Sequence, residues 1–188
     1  AYPDVTVRLV LSDSNIDLVE AHVDVALRVG QLPDSDLVAR KLGDIRWVAC
    51  ASPAYLARRG TPEQPEDLAQ HDCIAFEGLQ TVRSWRIGSG SQARTVEIVP
   101  RFSANTADAL IDAAMAGVGV ARIMSYQAAA AVTDGRLVPL FTDRGCEAVP
   151  VHLVHRRQRS QPLKLRAFLD FVAPRLQQVL GEVAGCFS

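Results

Sequence analysis

The residues of this chain that are able to do chemistry are scattered, and none form a recognised catalytic set. The only Gly-Ser-Gly, at 88–90, lies in a predicted hairpin, not at the strand-to-helix turn that exposes a nucleophilic serine. The Gly-Val-Gly at 117–119 follows a helix, and Arg122 stands where a dinucleotide-binding loop needs glycine. These patterns disfavour an enzyme and predict no organic cofactor.

Metal-ligand spacing is absent as well. His152 and His155 are three residues apart on a predicted strand, so their side chains point to opposite faces and cannot share one metal ion. The four cysteines, Cys50, Cys73, Cys146 and Cys186, include no Cys-x-x-Cys pair. The sequence therefore predicts no metal site, and Cys50, inside the apolar run 47–51, is predicted to be a buried thiol.

Composition and charge indicate a soluble protein that does not itself read DNA. Hydrophobic residues make up 48% of the 188 positions and charged residues 22%, which is ordinary globular composition. There are 20 Lys and Arg against 21 Asp and Glu, whereas proteins that hold DNA phosphates carry a basic surplus. No apolar stretch approaches the roughly 18 residues of a membrane helix. We expect a cytoplasmic protein without membrane contact.

The order strand, cap, helix, strand occurs twice along the chain. It first appears as a strand at 5–11, a cap cluster at 12–15, a short helix through Ile16, Val19 and Val23, and a strand at 23–29 stopped by Gly30. It returns as a strand at 100–102, caps at 103–106, a helix ended by Gly117 and a strand at 118–123. Each unit predicts two parallel strands joined by a crossover helix.

The remaining segments continue this alternation and predict α/β architecture. Further strands are predicted at 37–42, 47–51, 73–76, 137–141 and 149–155, a hairpin at 85–87 and 96–98, and helices at 52–59, 125–132 and 162–180.

Ligands collect at the carboxyl ends of strands in open parallel sheets, which draws attention to 12–15, Ser52 and 103–106. Arg28 and Arg122 occupy matching places late in the second strand of each repeated unit. A guanidinium suits two-pronged recognition of a carboxylate, so we hypothesise that one of them holds an acidic ligand. The alternatives are a solvated arginine or a pair with Asp24 or Asp108, and helix capping alone for the Ser and Asn residues.

Ordered segments over nearly the whole chain resemble the co-inducer-binding domain of LysR-type transcriptional regulators. They lie at 2–9, 23–30, 34–43, 48–56, 60–62, 65–74, 116–121, 135–140 and 165–171. The resemblance implies two Rossmann-like lobes joined by two crossover strands, a fold of the periplasmic-binding-protein type II. Lobe I would be 1–48 plus 152–188, and lobe II would be 49–151.

The same resemblance implies a small-molecule effector bound between the lobes, homodimers, and tetramers of the full-length protein. DNA would be bound only by an N-terminal winged helix-turn-helix that is missing here. A periplasmic-type solute-binding protein for transport shares this fold and stays as the alternative. By position, the effector-binding residues would be Ser12, Asp13, Ser14, Asn15, Val29, Gly30, Ser52, Phe76, Ser103, Asn105 and Thr106, with Arg28 and Arg122 added from the argument above.

Two departures from the family pattern stand out. The chain begins where family members end their first helix, so the first strand and helix of lobe I are expected to be missing. The family often has Leu-Pro where this chain has Ile123-Met124.

Overall fold

Two compact units make up the chain, whose computed structural model describes residues 5–12, 17–18, 20–33, 35–77, 83–157 and 162–187. Unit 1 comprises Ala1–Asp44 and Pro150–Gly181, and unit 2 comprises Ile45–Val149 and Glu182–Ser188. The lobe boundaries expected from sequence differ from these by a few residues, except that 182–188 belong to unit 2. The Arg46 guanidinium donates a hydrogen bond to the carbonyl of Phe187 at 3.4 Å, which helps to hold this terminal segment there.

The secondary structure of the described residues alternates strands and helices, as predicted. The strands are β1 (Val25–Val29), β2 (Leu37–Ala51), β3 (Cys73–Phe76), β4 (Ser84–Ile87), β5 (Arg94–Glu97), β6 (Pro100–Ala104), β7 (Val120–Met124), β8 (Val138–Leu140) and β9 (Ala148–Arg156). The α-helices are α1 (Pro53–Arg59), α2 (Ala107–Met115), α3 (Ser125–Thr133) and α4 (Leu163–Gly185). Short 3₁₀ helices lie at Pro65–Gln70, Gly90–Gln92 and Thr142–Arg144.

Unit 2 is built on a mixed sheet in the order β2-β7-β3-β6. Strand β3 pairs in parallel with both β6 and β7, whereas β2 is antiparallel to β7 and to β8. The crossover unit β6-α2-β7 therefore has the parallel geometry that the second repeat predicted. The hairpin of β4 and β5 is also confirmed, with Trp85 opposite Val96.

Each face of this sheet carries its own apolar core. On one face Val48, Cys50, Ile74 and Ile123 pack against Leu110 of α2 and the alanines of α3. On the other face the core combines α1, the Pro65–Gln70 turn and the hairpin, with Tyr55, Leu68, Trp85, Val96 and Val120. A fully buried Val, Leu or Ile side chain contributes roughly 1.5–3 kcal/mol, and both cores contain such residues, so the sheet of unit 2 is stabilised from both sides.

In unit 1 the expected parallel pair is wrong. Residues 5–12 form no strand, and β1 instead pairs antiparallel with β9, from Val25 opposite His155 to Val29 opposite Val151. An extended segment becomes a strand only when a neighbouring backbone accepts and donates its hydrogen bonds, and none of the described strands pairs with 5–12. The described residues between 17 and 22 form turns in place of the expected helix, while Ile16 and Val19 lie outside the described residues.

The two strands expected at 37–42 and 47–51 are one continuous strand, β2. Only the four residues 43–46 separate the two predicted strands, and Gly43 among them does not have a positive φ. Without a left-handed residue the backbone stays extended. Strand β2 therefore runs from unit 1 into unit 2. Strand β9 runs the other way, from unit 2 back into unit 1.

Candidate functional site

Polar residues gather where the parallel strands of unit 2 end. Strands β3 and β6 stop side by side, with Phe76 opposite Ala104, and the Glu77 amide donates to the Ala104 carbonyl at 2.8 Å. Asn105 and Thr106 follow directly and are exposed, while Phe76 and Ser103 are half-buried. We call Phe76, Asn105 and Thr106 the carboxyl edge of unit 2.

Helix α2 begins at this carboxyl edge. Thr106 occupies the N-cap position with extended backbone, but among the described residues its side chain makes no capping hydrogen bond. The first N–H groups of a helix have no partner inside the helix. They are therefore available here to solvent or to an acceptor on a ligand.

A further polar group near this edge already has a partner. Ser125 follows β7 and is buried, and its hydroxyl oxygen accepts a hydrogen bond from the Arg46 amide at 3.1 Å. This contact ties the start of α3 to the neighbouring strand β2. We therefore assign Ser125 a structural role.

Arg122 lies two residues before the end of β7, beside Ala49 of β2. Its guanidinium carbon is 4.4 Å from the ring centroid of Trp47, the geometry of a cation–π contact. Its Nε is buried and has no hydrogen-bond partner among the described residues. No described carboxylate forms an ion pair with it, so a pair with Asp108 is not observed.

Burial lowers the pKa of Arg122 without removing its charge at neutral pH. Desolvation lowers the pKa of the guanidinium to about 10, and the negative charge of Glu147 opposes this shift. The side chain stays protonated at neutral pH, but it carries its charge in surroundings that solvate that charge poorly. It lines a small hollow of unit 2 together with Trp47, Ala49, Arg86, Ile87, Gly88, Leu140, Phe141, Gly145, Cys146 and Glu147.

The matching arginine of unit 1 has different surroundings. Arg28 lies opposite His152 on β9 and is half-buried. It lines a hollow of about 230 Å³ with Leu32, Pro33, Ser35, Leu37, Ala39 and Val154. Strand β1 ends at the next residue, Val29, which is exposed. Gly30 follows with φ 107° and donates its N–H to the Pro150 carbonyl.

The structure does not bring Ser52 together with the carboxyl edge of unit 2. Ser52 follows β2, which runs antiparallel to β7, with Cys50 opposite Ala121. It therefore lies at the end of the sheet where the parallel strands begin. Its buried hydroxyl accepts from the Tyr55 amide at 3.3 Å and caps α1, which is the structural alternative for this residue.

Of the first cap cluster, Ser12 lies in an exposed segment outside any strand or helix. Asp13, Ser14 and Asn15 lie outside the described residues.

Several residues around Arg122 were not anticipated from the sequence. Trp47 and Arg122 meet because β2 and β7 are adjacent, and that adjacency has no local signal in either segment. Cys146 and Glu147 reach the hollow after the turn at Thr142–Arg144, which Phe141 enters with a left-handed backbone, at φ 58°. A left-handed phenylalanine is not predictable from residue preferences.

Within the described part of the chain, no group of three His, Cys, Asp or Glu side chains is arranged to hold a metal ion. None of the described helices is long and apolar enough to span a bilayer.

Comparison with known proteins identifies the fold and the family. The LysR substrate binding domain family matches residues 1–177. The transcriptional regulator CrgA of Neisseria meningitidis is 35% identical over 176 residues, 93% of this chain and 58% of that protein. This chain thus spans a little over half the length of the curated relatives that it matches.

Solved structures agree with this assignment. The regulatory domain of CrgA aligns with a TM-score of 0.76 at 34% identity, covering 88% of this chain and 81% of that one. Full-length AphB, a virulence activator of Vibrio cholerae, aligns with a TM-score of 0.79 at 31% identity, covering 93% and 59%. The chain belongs to the LysR substrate binding domain family, with the α/β fold of type II periplasmic binding proteins.

Proposed function

We propose that this chain is the effector-sensing part of a LysR-type transcriptional regulator. It binds a small molecule and catalyses no reaction of its own. The observation that carries the proposal is the family match over residues 1–177, joined to relatives that are transcriptional regulators. A solute-binding protein for transport would share the fold, but the relatives favour regulation.

Within unit 2, the carboxyl edge is the proposed contact surface for the effector. It offers the side chains of Asn105 and Thr106, the uncapped N–H groups of α2 and the aromatic ring of Phe76. Ser103 lies beside this edge on β6. Arg122 is a separate proposed contact, because it lines the hollow with Ala49 and Ile87, whereas Phe76 packs against the core on the other face of the sheet. Arg28, Val29 and Gly30 are the proposed contacts of unit 1.

Regulation would work by a shift between conformations. A ligand changes the populations of two states only as far as its affinities for those states differ. In the full-length protein the two states would differ in how they place the helix-turn-helix that the names of the relatives record. We propose that the protein acts in the cytoplasm, as a homodimer or, at full length, as a tetramer.

The proposal is tested first by finding the ligand. A thermal-shift screen of small organic acids and neutral metabolites against the chain should yield compounds that raise the midpoint of unfolding. For such a compound, the double variant Asn105→Ala with Thr106→Ala should weaken binding in calorimetry by about tenfold or more, since two neutral hydrogen bonds contribute roughly 1–3 kcal/mol together. Thr95→Ala, on the exposed strand β5, is the matched control and should bind normally.

The second step measures regulation. The same compound should change the affinity of the full-length protein for DNA from its own promoter region. An unaltered affinity at saturating compound would contradict effector sensing. A secretion signal in place of a helix-turn-helix upstream of Ala1 in the gene would favour transport.

A further inference from the structure

Arg122 is a half-buried cation that forms no ion pair with any described residue. Its Nε is buried without a hydrogen-bond partner among the described residues, and burial lowers the pKa of the guanidinium. The nearby carboxylate of Glu147 is in an ion pair with Arg86, at 3.5 Å between Nε and Oε2. A desolvated charge and an unpaired N–H are both costly. An anionic hydrogen-bond acceptor would remove both costs at once.

Trp47 fixes the orientation of this cation. The guanidinium carbon lies 4.4 Å from the ring centroid of Trp47, so the aromatic face covers one side of the cation and leaves its N–H groups to be reached from the other sides. Trp47 is itself held in place because β2 pairs with β7, where it lies opposite Met124, and because the next residue back, Arg46, is bonded to Ser125. The donors of Arg122 are therefore held in a set direction before any ligand arrives, which reduces the entropy lost on binding.

The size and charge of the hollow limit what it can take. Its free space is about 10 Å³, close to the least that a water molecule occupies. A single carboxylate oxygen therefore fits, with the remainder of the ligand outside. Arg86, Arg122 and Glu147 line it and sum to a single positive charge, while burial raises the pKa of Cys146 and keeps that thiol neutral. One negative charge on a small planar group matches this lining.

We propose that Arg122, held over the ring of Trp47, binds the carboxylate of a monoanionic small molecule at this hollow of unit 2. The inference rests on the proposed effector-sensing function, since it names the chemical class of the effector. It also assigns Trp47 as a positioning residue, and it requires only unit 2.

The first experiment observes Arg122 directly in the intact chain. A buried guanidinium Nε–H exchanges slowly with water, so Arg122 should give a resolved arginine signal in ¹H–¹⁵N spectra, identified by its loss in Arg122→Lys. Titration with sodium acetate and sodium benzoate should move this signal with saturation. Sodium chloride at equal ionic strength should leave it in place. A shift of equal size with chloride would overturn the proposal, as would a signal that neither carboxylate moves.

The second experiment measures benzoate affinity by calorimetry. Arg122→Gln should weaken binding at least tenfold, because a hydrogen bond to a charged group, worth about 1.5–3 kcal/mol, is lost together with the charge. The matched control is Arg101→Gln, which removes the same charge from an exposed arginine that pairs with Asp72. It should bind within about twofold of the unaltered chain. Equal affinities of the two variants would overturn the proposal.

Trp47 is tested by variants of its ring. Trp47→Leu should weaken benzoate binding several-fold, and the Arg122 signal should broaden because the guanidinium is no longer fixed. Trp47→Phe should restore much of both, since a smaller aromatic face still attracts the cation. A sharp Arg122 signal in Trp47→Leu would remove the positioning role.

These outcomes are separable from those of the proposed function. Benzoate binding at Arg122, with no compound of the thermal-shift screen changing DNA affinity, would reject effector sensing and leave the anion site standing. Effector sensing by a neutral compound, with no carboxylate response at Arg122, would reject the anion site alone.

Discussion

Tyr55 is fully buried, yet every polar function around its hydroxyl is satisfied. The oxygen accepts a hydrogen bond from the Asp72 amide at 3.0 Å and lies 3.0 Å from Nδ1 of His71. Asp72 in turn pairs with Arg59 and Arg101. A buried hydroxyl is costly only when unpaired. This network therefore holds α1 against the beginning of β3, at the end of the sheet opposite the carboxyl edge of unit 2.

His71 should make folding stability depend on pH. Burial lowers its pKa below the ordinary 6.5, and the positive charge of Arg59 lowers it further, while Asp67 and Asp72 oppose the shift. The unfolded chain therefore binds a proton at a higher pH than the folded chain does. The stability contributed by neutral His71 is complete above about pH 6.5 and is lost as pH falls from there toward the folded pKa.

His71→Gln should flatten this part of the pH profile, measured as the urea midpoint at a series of pH values. The glutamine amide can still hydrogen-bond the Tyr55 hydroxyl, so the loss of slope would report the proton and not the contact. An unchanged slope below pH 6.5 would show that another group is responsible.

The four thiols should differ in reactivity toward a disulfide reagent such as Ellman's. Cys186 is exposed and should react first. Cys50 and Cys73 are buried, and desolvation raises the pKa of each thiol to about 12, so both should react only on unfolding. Cys186→Ser should remove the fast phase. A fast phase that persists in this variant would place the reactive thiol elsewhere.

Residue-scale predictions from sequence succeeded where the signal was local. Cys50 in its apolar run is buried, and Ser52 before Pro53 caps a helix. The contact of Arg122 with Trp47 could not be predicted from the sequence, because it depends on which strands become neighbours. The different surroundings of Arg28 and Arg122 could not be predicted either, since their local sequences are alike while the hollows they line are not.

At the scale of elements, the backbone just before β3 and the backbone just before β7 approach so closely that only glycine fits at position 119. A Cβ on Gly119 would lie 2.2 Å from the carbonyl oxygen of Asp72 and 2.8 Å from its carbonyl carbon. Backbone atoms cannot move aside without breaking the pairing of Cys73 with Val120.

Gly119→Ala should therefore lower the free energy of unfolding by about 3 kcal/mol or more, at the upper end for overpacking. Gly181→Ala is the matched control, because its Cβ meets nothing within 4 Å and Gly181 lies inside α4. The control should raise stability by about 0.5–1 kcal/mol, as alanine favours a helix. Chemical denaturation of both variants checks the opposite signs, and a stable Gly119→Ala protein would contradict the close approach.

Elements with their own start and stop signals were predictable from sequence. Helix α1 begins after Ser52, and α2 ends before Gly117, which has φ 77°. Strand pairing was harder to predict from the sequence. The partner of β1 is β9, far along the chain and antiparallel, and no property of 23–29 indicates it. The segment 5–11 has the alternation of a strand, but pattern alone does not supply the neighbour that a strand requires.

At the scale of the whole molecule, the two units are unequally buried. Among the described residues of unit 1, large apolar side chains such as Leu9, Leu11, Leu27 and Leu163 are more than half exposed. In unit 2, Val120 is fully buried and Ile123 is 2% exposed. Local opening costs less where fewer apolar contacts are broken.

Hydrogen exchange should follow this difference. Amides of β1 should exchange at least tenfold faster than those of β7, which is paired on both sides, with β2 and β3. Repeating the measurement at two pH values separates opening from the intrinsic exchange rate. Equal protection in β1 and β7 would mean that the two units open together.

The division of unit 1 into two separated pieces has a consequence for synthesis on the ribosome. The central stretch of unit 2, Ile45–Val149, is continuous and can pair its strands as soon as it emerges. Unit 1 must wait for Pro150–Gly181, because β9 is the partner of β1. At about 5–20 residues per second, that delay is on the order of 10 s. During it, β1 lacks its strand partner, so its apolar residues are open to binding by a nascent-chain chaperone.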